Sequence, residues 1–145
     1  MGFLSIATSN VRNLDNKKVN VDADDIFLVG ENGQGKTNFL ETIYFLCYGS
    51  SFRTKKDSVI KKHGCHSLWA RGEYSLINGD INTVFVQLNN EKKEIFLNKK
   101  KIQDRKDLIK NIPCIIFSHD DIRFIKGSPD KHLWFFHHTT SLIDR

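Results

Sequence analysis

The sequence predicts an α/β domain in which a phosphate-binding loop joins a buried strand to a helix, with an antiparallel β region after it. Residues 30–37 read GENGQGKT and fill every fixed position of the pattern G-x-x-x-x-G-K-[ST]. The apolar run 26–29 ahead of the loop predicts a strand that is buried on both faces. Short alternating stretches between residues 67 and 117 predict antiparallel strands. These three observations indicate a P-loop NTPase fold over residues 1–145.

The residue types of this loop suit the binding of nucleotide phosphates. Three glycines allow a tight turn whose N–H groups point inward at a helix N-terminus, where anions bind. Lys36 can reach the β- and γ-phosphates, and the Thr37 hydroxyl can coordinate the Mg²⁺ that accompanies the nucleotide. A glycine-rich turn that only starts a helix is the alternative, but the fixed positions coincide by chance in about 1% of chains this long. The predicted cofactor-binding residues are Gly30, Glu31, Asn32, Gly33, Gln34, Gly35, Lys36 and Thr37.

The elements around the loop follow from local patterns. Residues 3–8 predict a first strand, 18–21 a second strand that runs back, and 22–25 the turn into the strand at 26–29. Apolar residues at positions 39, 43, 46 and 47 recur at helical spacing, and Gly49 ends the pattern. The strand, loop and helix therefore form one unit over residues 26–48.

The β region at about 67–117 has the signature of hairpins. The predicted strands are 68–74, 83–88 and 94–97, and asparagine-rich turns separate them at 78–80, 89–90 and 98–100. A short helix at 106–110 and an apolar strand at 114–117 follow. Small kinases and GTPases usually alternate strand and helix after the P-loop. One helix followed by an antiparallel sheet resembles the nucleotide-binding head of ABC-type ATPases instead.

Positive charge is concentrated in the middle of the chain. The net charge is +5, and residues 51–110 hold 14 basic and 7 acidic side chains. One cluster contains Arg53, Lys55, Lys56, Lys61 and Lys62, and a second contains Lys99, Lys100, Lys101, Arg105 and Lys106. A polyanion such as DNA is a plausible partner, and a solvated lysine-rich surface is an equal alternative.

The cysteine and histidine content predicts reduced thiols and no metal framework. Cys47, Cys65 and Cys114 are scattered, as in a cytoplasmic protein with reduced thiols. His63 and His66 flank Cys65, but their spacing matches no zinc pattern. No apolar stretch is long enough to span a bilayer, so we expect a cytoplasmic protein without membrane contact.

Five stretches together resemble the RecF family of bacterial recombination-repair ATPases, which is related to SMC-type heads. They are SNVRNL at 9–14, the P-loop with the following NFLETIY at 38–44, GSSFRT at 49–54, IFSHDDI at 116–122 and IKGSP at 125–129. The similarity runs through nearly the whole chain and covers less than half of the usual family length. It predicts the N-terminal portion of an ABC/SMC-type ATPase head with an antiparallel β subdomain.

The resemblance also implies a function. Members of the family bind ATP and single-stranded or gapped DNA, act with other recombination-mediator proteins to load recombinase, and support replication, repair of DNA damage and the SOS response. ATP-linked homodimerisation is implied as well. On this resemblance Arg12 lies near the nucleotide, and Arg53, Lys55, Lys56, Lys61 and Lys62 are the candidate DNA-binding residues.

Departures from the family pattern make hydrolysis doubtful. No apolar strand ends in Asp-Glu, because Ser118 and His119 separate the run 114–117 from Asp120 and Asp121. No Ser-Gly-Gly-Gln-like signature is present, and residues 129–137 differ from the family. Two alternatives therefore stay open: a truncated remnant that binds nucleotide without hydrolysing it, and a stand-alone small P-loop kinase. A GTPase is disfavoured because Asn-Lys-x-Asp is missing.

Overall fold

Alternation of apolar and polar residues builds an antiparallel sheet in the computed structural model, which describes residues 2–117. Within these residues the sheet has six strands in the order β2-β1-β3-β4-β5-β6. The strands are β1 (Gly2–Ser9), β2 (Lys18–Asn20), β3 (Ser67–Ser75), β4 (Ile81–Asn89), β5 (Lys92–Leu97) and β6 (Lys100–Ile102). The predicted P-loop class with an antiparallel β region is confirmed.

The predicted asparagine turns connect consecutive strands from β3 to β6. Gly79, with φ of 86°, lies in the turn between β3 and β4. Asn90, with φ of 52°, lies between β4 and β5. Asn98 and Lys99 between β5 and β6 have φ of 47° and 67°, and this pair of left-handed residues matches the twist of a two-residue hairpin. The turn chemistry thus sets the strand register.

The P-loop leads into helix α1 (Lys36–Tyr48), which lies on one face of the sheet and contacts β3 and β4. Gly49, in a left-handed conformation, ends α1 by donating its N–H to the carbonyl oxygen of Phe45. A 3-10 turn (Asp57–Ile60) and helix α2 (Lys106–Asn111) complete the described elements. None of the helices between residues 2 and 117 is long and apolar enough to cross a membrane.

The core lies between α1 and the inner face of the sheet. Along β3 and β4 every second side chain is buried. Tyr74, Phe45 and Leu46 are among the largest fully buried side chains of the core. Burial of an aliphatic or aromatic side chain of this size stabilises a fold by about 1.5–3 kcal/mol. This core holds α1, and therefore the P-loop at its N-terminus, against the sheet.

The strands predicted at 26–29 and 114–117 are absent from the described residues. Residues 26–29 have no regular structure, and the side chains of Phe27 and Val29 are 86% and 92% exposed. Ile115 and Phe117 are also exposed. A strand that is buried on both faces needs hydrogen-bonded neighbours and covering layers, and none of the six strands within residues 2–117 pairs with either run. The apolar pattern alone was therefore an insufficient predictor.

Candidate nucleotide-binding site

The glycines of the loop adopt conformations that other residues rarely take. Gly33 and Gly35 have φ of 83° and 97°. An added Cβ at Gly35 would lie 2.9 Å from Oδ1 of Asn13 and 3.0 Å from Cδ2 of Leu14. The left-handed backbone and the close approach of a neighbouring loop both require glycine at position 35.

The N-terminus of α1 is open toward the loop. Gly35 is the N-cap residue, and no side chain among the described residues caps the helix there. The first helical hydrogen bond runs from the N–H of Phe39 to the carbonyl oxygen of Gly35. The N–H groups of the first turn precede that bond and are the donors that a helix N-terminus offers to an anion.

A pocket of about 290 Å³ lies at this helix end. Its lining residues are Asn32, Gly33, Gly35, Lys36, Thr37, Asn38 and Arg53. Lys36 and Arg53 supply two positive charges, and Thr37 supplies a hydroxyl group. The structure therefore brings five of the eight predicted phosphate-binding residues to one concave surface, and Gln34 does not line it.

Lys36 folds back over the loop. Its Nζ donates hydrogen bonds to the carbonyl oxygens of Gly30 and Glu31, each at 2.6 Å. An ammonium group has three N–H donors. Two of them bind the loop carbonyl oxygens and hold the group above the loop. Among the described residues, the third donor is left for a phosphate oxygen. Gly30 and Glu31 therefore act through their backbone oxygens, which position Lys36.

A second loop, at residues 10–14, supports the P-loop from the side. The Asn13 amide donates to the carbonyl oxygen of Gly33 at 2.8 Å. The Asn38 amide in turn donates to Oδ1 of Asn13 at 2.7 Å. Asn13 thus connects the tip of the P-loop to the first turn of α1.

Glu41 is the buried centre of a polar network beneath the site. Its side chain is fully buried, and it accepts two hydrogen bonds from Arg12, at 3.0 Å from Nε and 2.9 Å from an Nη. The hydroxyl of Ser51 donates to the same carboxylate at 2.5 Å, and Arg53 lies 3.5 Å away. Burial by itself raises the pKa of Glu41, but the hydrogen bonds and positive charges of these neighbours outweigh it and lower that pKa below 4.5.

This network decides where the predicted nucleotide-proximal residue lies. The guanidinium group of Arg12 is paired with Glu41, one helical turn after the P-loop. Arg12 also holds the loop in place through its backbone, because its N–H donates to the carbonyl oxygen of Ile60 at 2.9 Å. A direct contact between Arg12 and the nucleotide stays a prediction.

Arg53 connects the phosphate pocket with a neighbouring basic groove. Its Nη1 donates to Oδ1 of Asn38 at 2.8 Å. It also lines a groove of about 470 Å³ on the other side, together with Lys55 and Arg105. The two basic clusters of the sequence therefore meet at this groove, although about fifty residues separate them.

The remaining predicted DNA-binding residues are spread along one segment. The side chains of Lys55, Lys56 and Lys62 are exposed. Lys61 is half-buried, and its Nζ donates to the carbonyl oxygen of Asn90 at 3.0 Å, which anchors the turn between β4 and β5. Lys61 thus has a structural contact, whereas the three exposed lysines are available to a polyanion.

His63, Cys65 and His66 lie close together in the sequence, within the part of the chain that the structure describes. Between residues 2 and 117, no group of three or more His, Cys, Asp or Glu side chains could hold a metal ion. This includes His63, Cys65 and His66. Asp120 and Asp121, which follow the apolar run 114–117 in the sequence, and the divergent stretch 129–137 lie outside the described residues.

Sequence reasoning missed the supporting network. Asn13, Asn38, Glu41 and Ser51 lie within stretches that carry the family resemblance, yet none had a predicted role. The signal that could have identified Glu41 is a charged residue one helical turn before Phe45, on the helix face that packs on the sheet. Such a residue needs a buried partner of opposite charge.

A Gly35→Ala variant should be destabilised and should lose nucleotide affinity. The new methyl group would approach Asn13 and Leu14 at a residue with φ of 97°. We expect a loss of about 1–3 kcal/mol in the free energy of unfolding, measured by urea denaturation. Gly64→Ala is the matched control, since Gly64 has φ of 79° but no atom within 4 Å of the added Cβ. Equal losses in both variants would show that contact of the added methyl group with Asn13 and Leu14 does not change the free energy of unfolding.

The sequence is similar to known proteins over most of its length. A family model described as an AAA domain matches residues 5–127. The DNA replication and repair protein RecF of Treponema pallidum is 39% identical over 141 residues, which are 93% of this chain and 38% of that protein. RecF of Clostridioides difficile is 34% identical over 143 residues, which are 99% of this chain and 38% of that protein.

Solved structures show the same similarity. The recombination mediator protein RecF of the RecFOR pathway, solved as RecF-ATPrS, matches with a TM-score of 0.84 and 28% identity over 98% of this chain. The structure of RecF-ATP matches with a TM-score of 0.81 and 28% identity over 99% of this chain. The chain spans 38% and 39% of these two proteins, and thus about two fifths of the length of its relatives.

Proposed function

Because the chain belongs to the AAA domain family, and because its sequence and fold match the amino-terminal part of RecF proteins, we propose that it binds ATP and DNA in replication and recombinational repair. The observation that carries this proposal is the open N-terminus of α1 beside Lys36. Backbone donors, a cation and a hydroxyl group converge there, and this combination recognises a nucleoside triphosphate.

Four side chains at this helix end have roles in the proposal, together with the backbone of α1. The N–H groups of the first turn of α1 hold the phosphate oxygens, and Lys36 adds a positive charge. Mg²⁺, if bound with the nucleotide, would be held by the Thr37 hydroxyl and would neutralise phosphate charge. Asn13 supports the loop by donating to the carbonyl oxygen of Gly33, and Asn38 in turn donates to Asn13.

We propose that the basic groove binds the phosphate backbone of DNA. Arg53 lines both the phosphate pocket and the groove that contains Lys55 and Arg105. Exposed lysines that neutralise phosphates release counterions, so they raise DNA affinity in a salt-dependent manner. The exposed Lys56 extends this basic surface beyond the groove.

The double substitution Lys55→Ala/Lys56→Ala should weaken DNA binding. We expect a lower affinity for a labelled single-stranded oligonucleotide in fluorescence anisotropy. The slope of log K against log salt should decrease by about 0.7 for each phosphate that the variant no longer neutralises. The matched control is Lys17→Ala/Lys110→Ala, which removes two exposed lysines outside the groove.

The controls separate three results. An unchanged affinity and salt slope in the Lys55→Ala/Lys56→Ala variant would show that this segment is only a solvated surface. Equal effects of both double substitutions would show that net charge alone controls binding. A wild-type chain with no affinity for single-stranded or gapped DNA would contradict the proposed function as a whole.

The resemblance to the RecF family implies a wider role. We infer that the protein acts with other recombination-mediator proteins in recombinase loading and the SOS response, and that ATP promotes its homodimerisation. The free thiols of Cys47, Cys65 and Cys114 fit a reducing compartment, and we therefore place this activity in the cytoplasm. Size-exclusion chromatography with and without Mg-ATP tests the ATP-linked dimer.

A further inference from the structure

The sheet face opposite α1 carries a row of aromatic and basic side chains. The strand register places Arg71, Phe85, Phe96 and Lys101 next to one another on β3, β4, β5 and β6. Trp69 precedes Arg71 by two residues and so lies on the same face. The ring centroids of Trp69 and Phe85 are 6.0 Å apart, and those of Phe85 and Phe96 are 6.1 Å apart. These three rings are called the aromatic platform below.

The aromatic platform borders an open groove of about 540 Å³. Its lining residues are Trp69, Arg71, Thr83, Phe85, Gln87, Phe96 and Lys99. Trp69 is 37% exposed, whereas its neighbour Ala70 on the inner face is fully buried. The core beneath α1 is thus built from side chains on the inner face of the sheet. Core packing therefore does not explain why three aromatic rings lie on the outer face. Contiguous aromatic surface of this kind indicates a binding site.

The charged side chains on this face favour an anionic ligand. The basic residues are Lys18, Arg71, Lys92, Lys99 and Lys101, and the carboxylates are Glu73 and Glu94. Glu73 accepts from Lys18 at 2.8 Å and from Arg71 at 3.1 Å. Glu94 accepts from Lys101 at 2.7 Å and lies 3.7 Å from Lys92. Each carboxylate is shared between two cations, so the borders of the aromatic platform remain positively charged.

We propose that the aromatic platform binds single-stranded DNA, with bases stacked on Trp69, Phe85 and Phe96 and phosphates held by the surrounding cations. The inference rests on the proposed function, because it assigns the site at which the chain recognises unpaired bases. Sheet surfaces with adjacent aromatic rings stack two or three bases of a single strand, and cations beside them follow the backbone. Lysine is depleted in protein–protein interfaces, so its abundance here favours a nucleic acid over a protein partner.

The aromatic platform is separate from the nucleotide site. The sheet lies between them, since α1 and the P-loop are on the inner face and the rings are on the outer face. In duplex DNA the faces of the bases are stacked on neighbouring bases, so they cannot stack on Trp69. The basic groove can bind either form through phosphates, whereas the aromatic platform selects the single strand.

Fluorescence of Trp69 reports base stacking directly. The sequence contains two tryptophans, and a Trp134→Phe variant of the full chain leaves Trp69 as the only one. We expect an oligothymidylate of about 16 nucleotides to quench this fluorescence in a saturable manner. The blunt duplex of the same length should bind through phosphates and leave the fluorescence unchanged.

Affinity of ring variants provides the second readout. Trp69→Ala should lower the affinity for the oligothymidylate on the order of 10-fold, since stacking on one ring has that value by alanine substitution. Trp69→Phe should restore most of the loss, because it retains a stacking face. Ile77→Ala is the control, since Ile77 is an exposed apolar residue outside the groove.

Two results would overturn the inference while leaving the proposed function intact. The first is oligothymidylate binding that does not quench Trp69 and is unaffected by Trp69→Ala. The second is a change of Trp69 fluorescence with protein concentration alone, which would show that a second copy of the chain covers the aromatic platform. Failure of the proposed function has a different signature, namely no binding of any DNA form by the wild-type chain.

Discussion

A Lys36→Ala variant will bind ATP about 10- to 100-fold more weakly than the wild-type chain, while its thermal unfolding temperature stays the same. Hydrogen bonds to charged groups contribute about 1.5–3 kcal/mol, which corresponds to that change in affinity. The fold is expected to persist because Lys36 is bonded to the loop carbonyl oxygens of Gly30 and Glu31 and not to the core. Titration of a fluorescent ATP analogue measures the effect.

The control for this variant is Lys110→Ala, which removes an exposed lysine from α2 without touching the P-loop. Its ATP affinity should equal that of the wild type. If Lys36→Ala bound the analogue as tightly as the wild type, the phosphate site would lie elsewhere. If Lys36→Ala failed to unfold cooperatively, Lys36→Arg would be used instead. It retains the positive charge, so a folded Lys36→Arg variant with weaker ATP binding would show an effect on binding alone.

Glu41→Gln will lower the free energy of unfolding by about 3 kcal/mol at neutral pH. Removal of one charge from a buried pair leaves the other charge uncompensated, at a cost of about 3–5 kcal/mol. The lower end applies because the side chain of Arg12 is 20% exposed and that of Arg53 is 44% exposed. Urea denaturation measures the loss, and Glu91→Gln at an exposed turn is the control, with an expected change below about 0.5 kcal/mol.

The stabilisation by Glu41 also depends on pH. Its pKa in the folded protein lies below the ordinary glutamate value of 4.5. The stabilisation is therefore fully present above pH 4.5 and is lost as the pH falls through the folded pKa. The difference in stability between wild type and Glu41→Gln should decrease below pH 4.5, and a difference that stays constant to pH 3 would contradict the ionised pair.

Local sequence patterns predicted the elements that local chemistry determines. The P-loop and α1 follow from glycine positions and helical spacing, and Gly35 and Gly49 lie at the two ends of the helix. The hairpins follow from turn residues such as Gly79 and Asn98, whose left-handed backbones favour glycine and asparagine. Such features depend on a few neighbouring residues, so one sequence is sufficient to find them.

Features formed by residues that are far apart in the sequence could not be predicted from local patterns. The apolar run 26–29 has the composition of a buried strand, but a strand exists only where other segments pair with it. The Glu41 network joins Arg12, Ser51 and Arg53 across 29, 10 and 12 residues, and no spacing rule connects them. The aromatic platform likewise depends on the register of three strands, which places Phe85 opposite Phe96.

The most direct test of a nucleotide-binding P-loop is calorimetric titration of Mg-ATP into the wild-type 145-residue chain. We expect saturable binding of one ATP per chain, with the affinity lowered about 10- to 100-fold by Lys36→Ala. A chain that unfolds cooperatively yet shows no heat of binding would contradict the claim that the described loop, helix end and Lys36 are sufficient to hold the triphosphate.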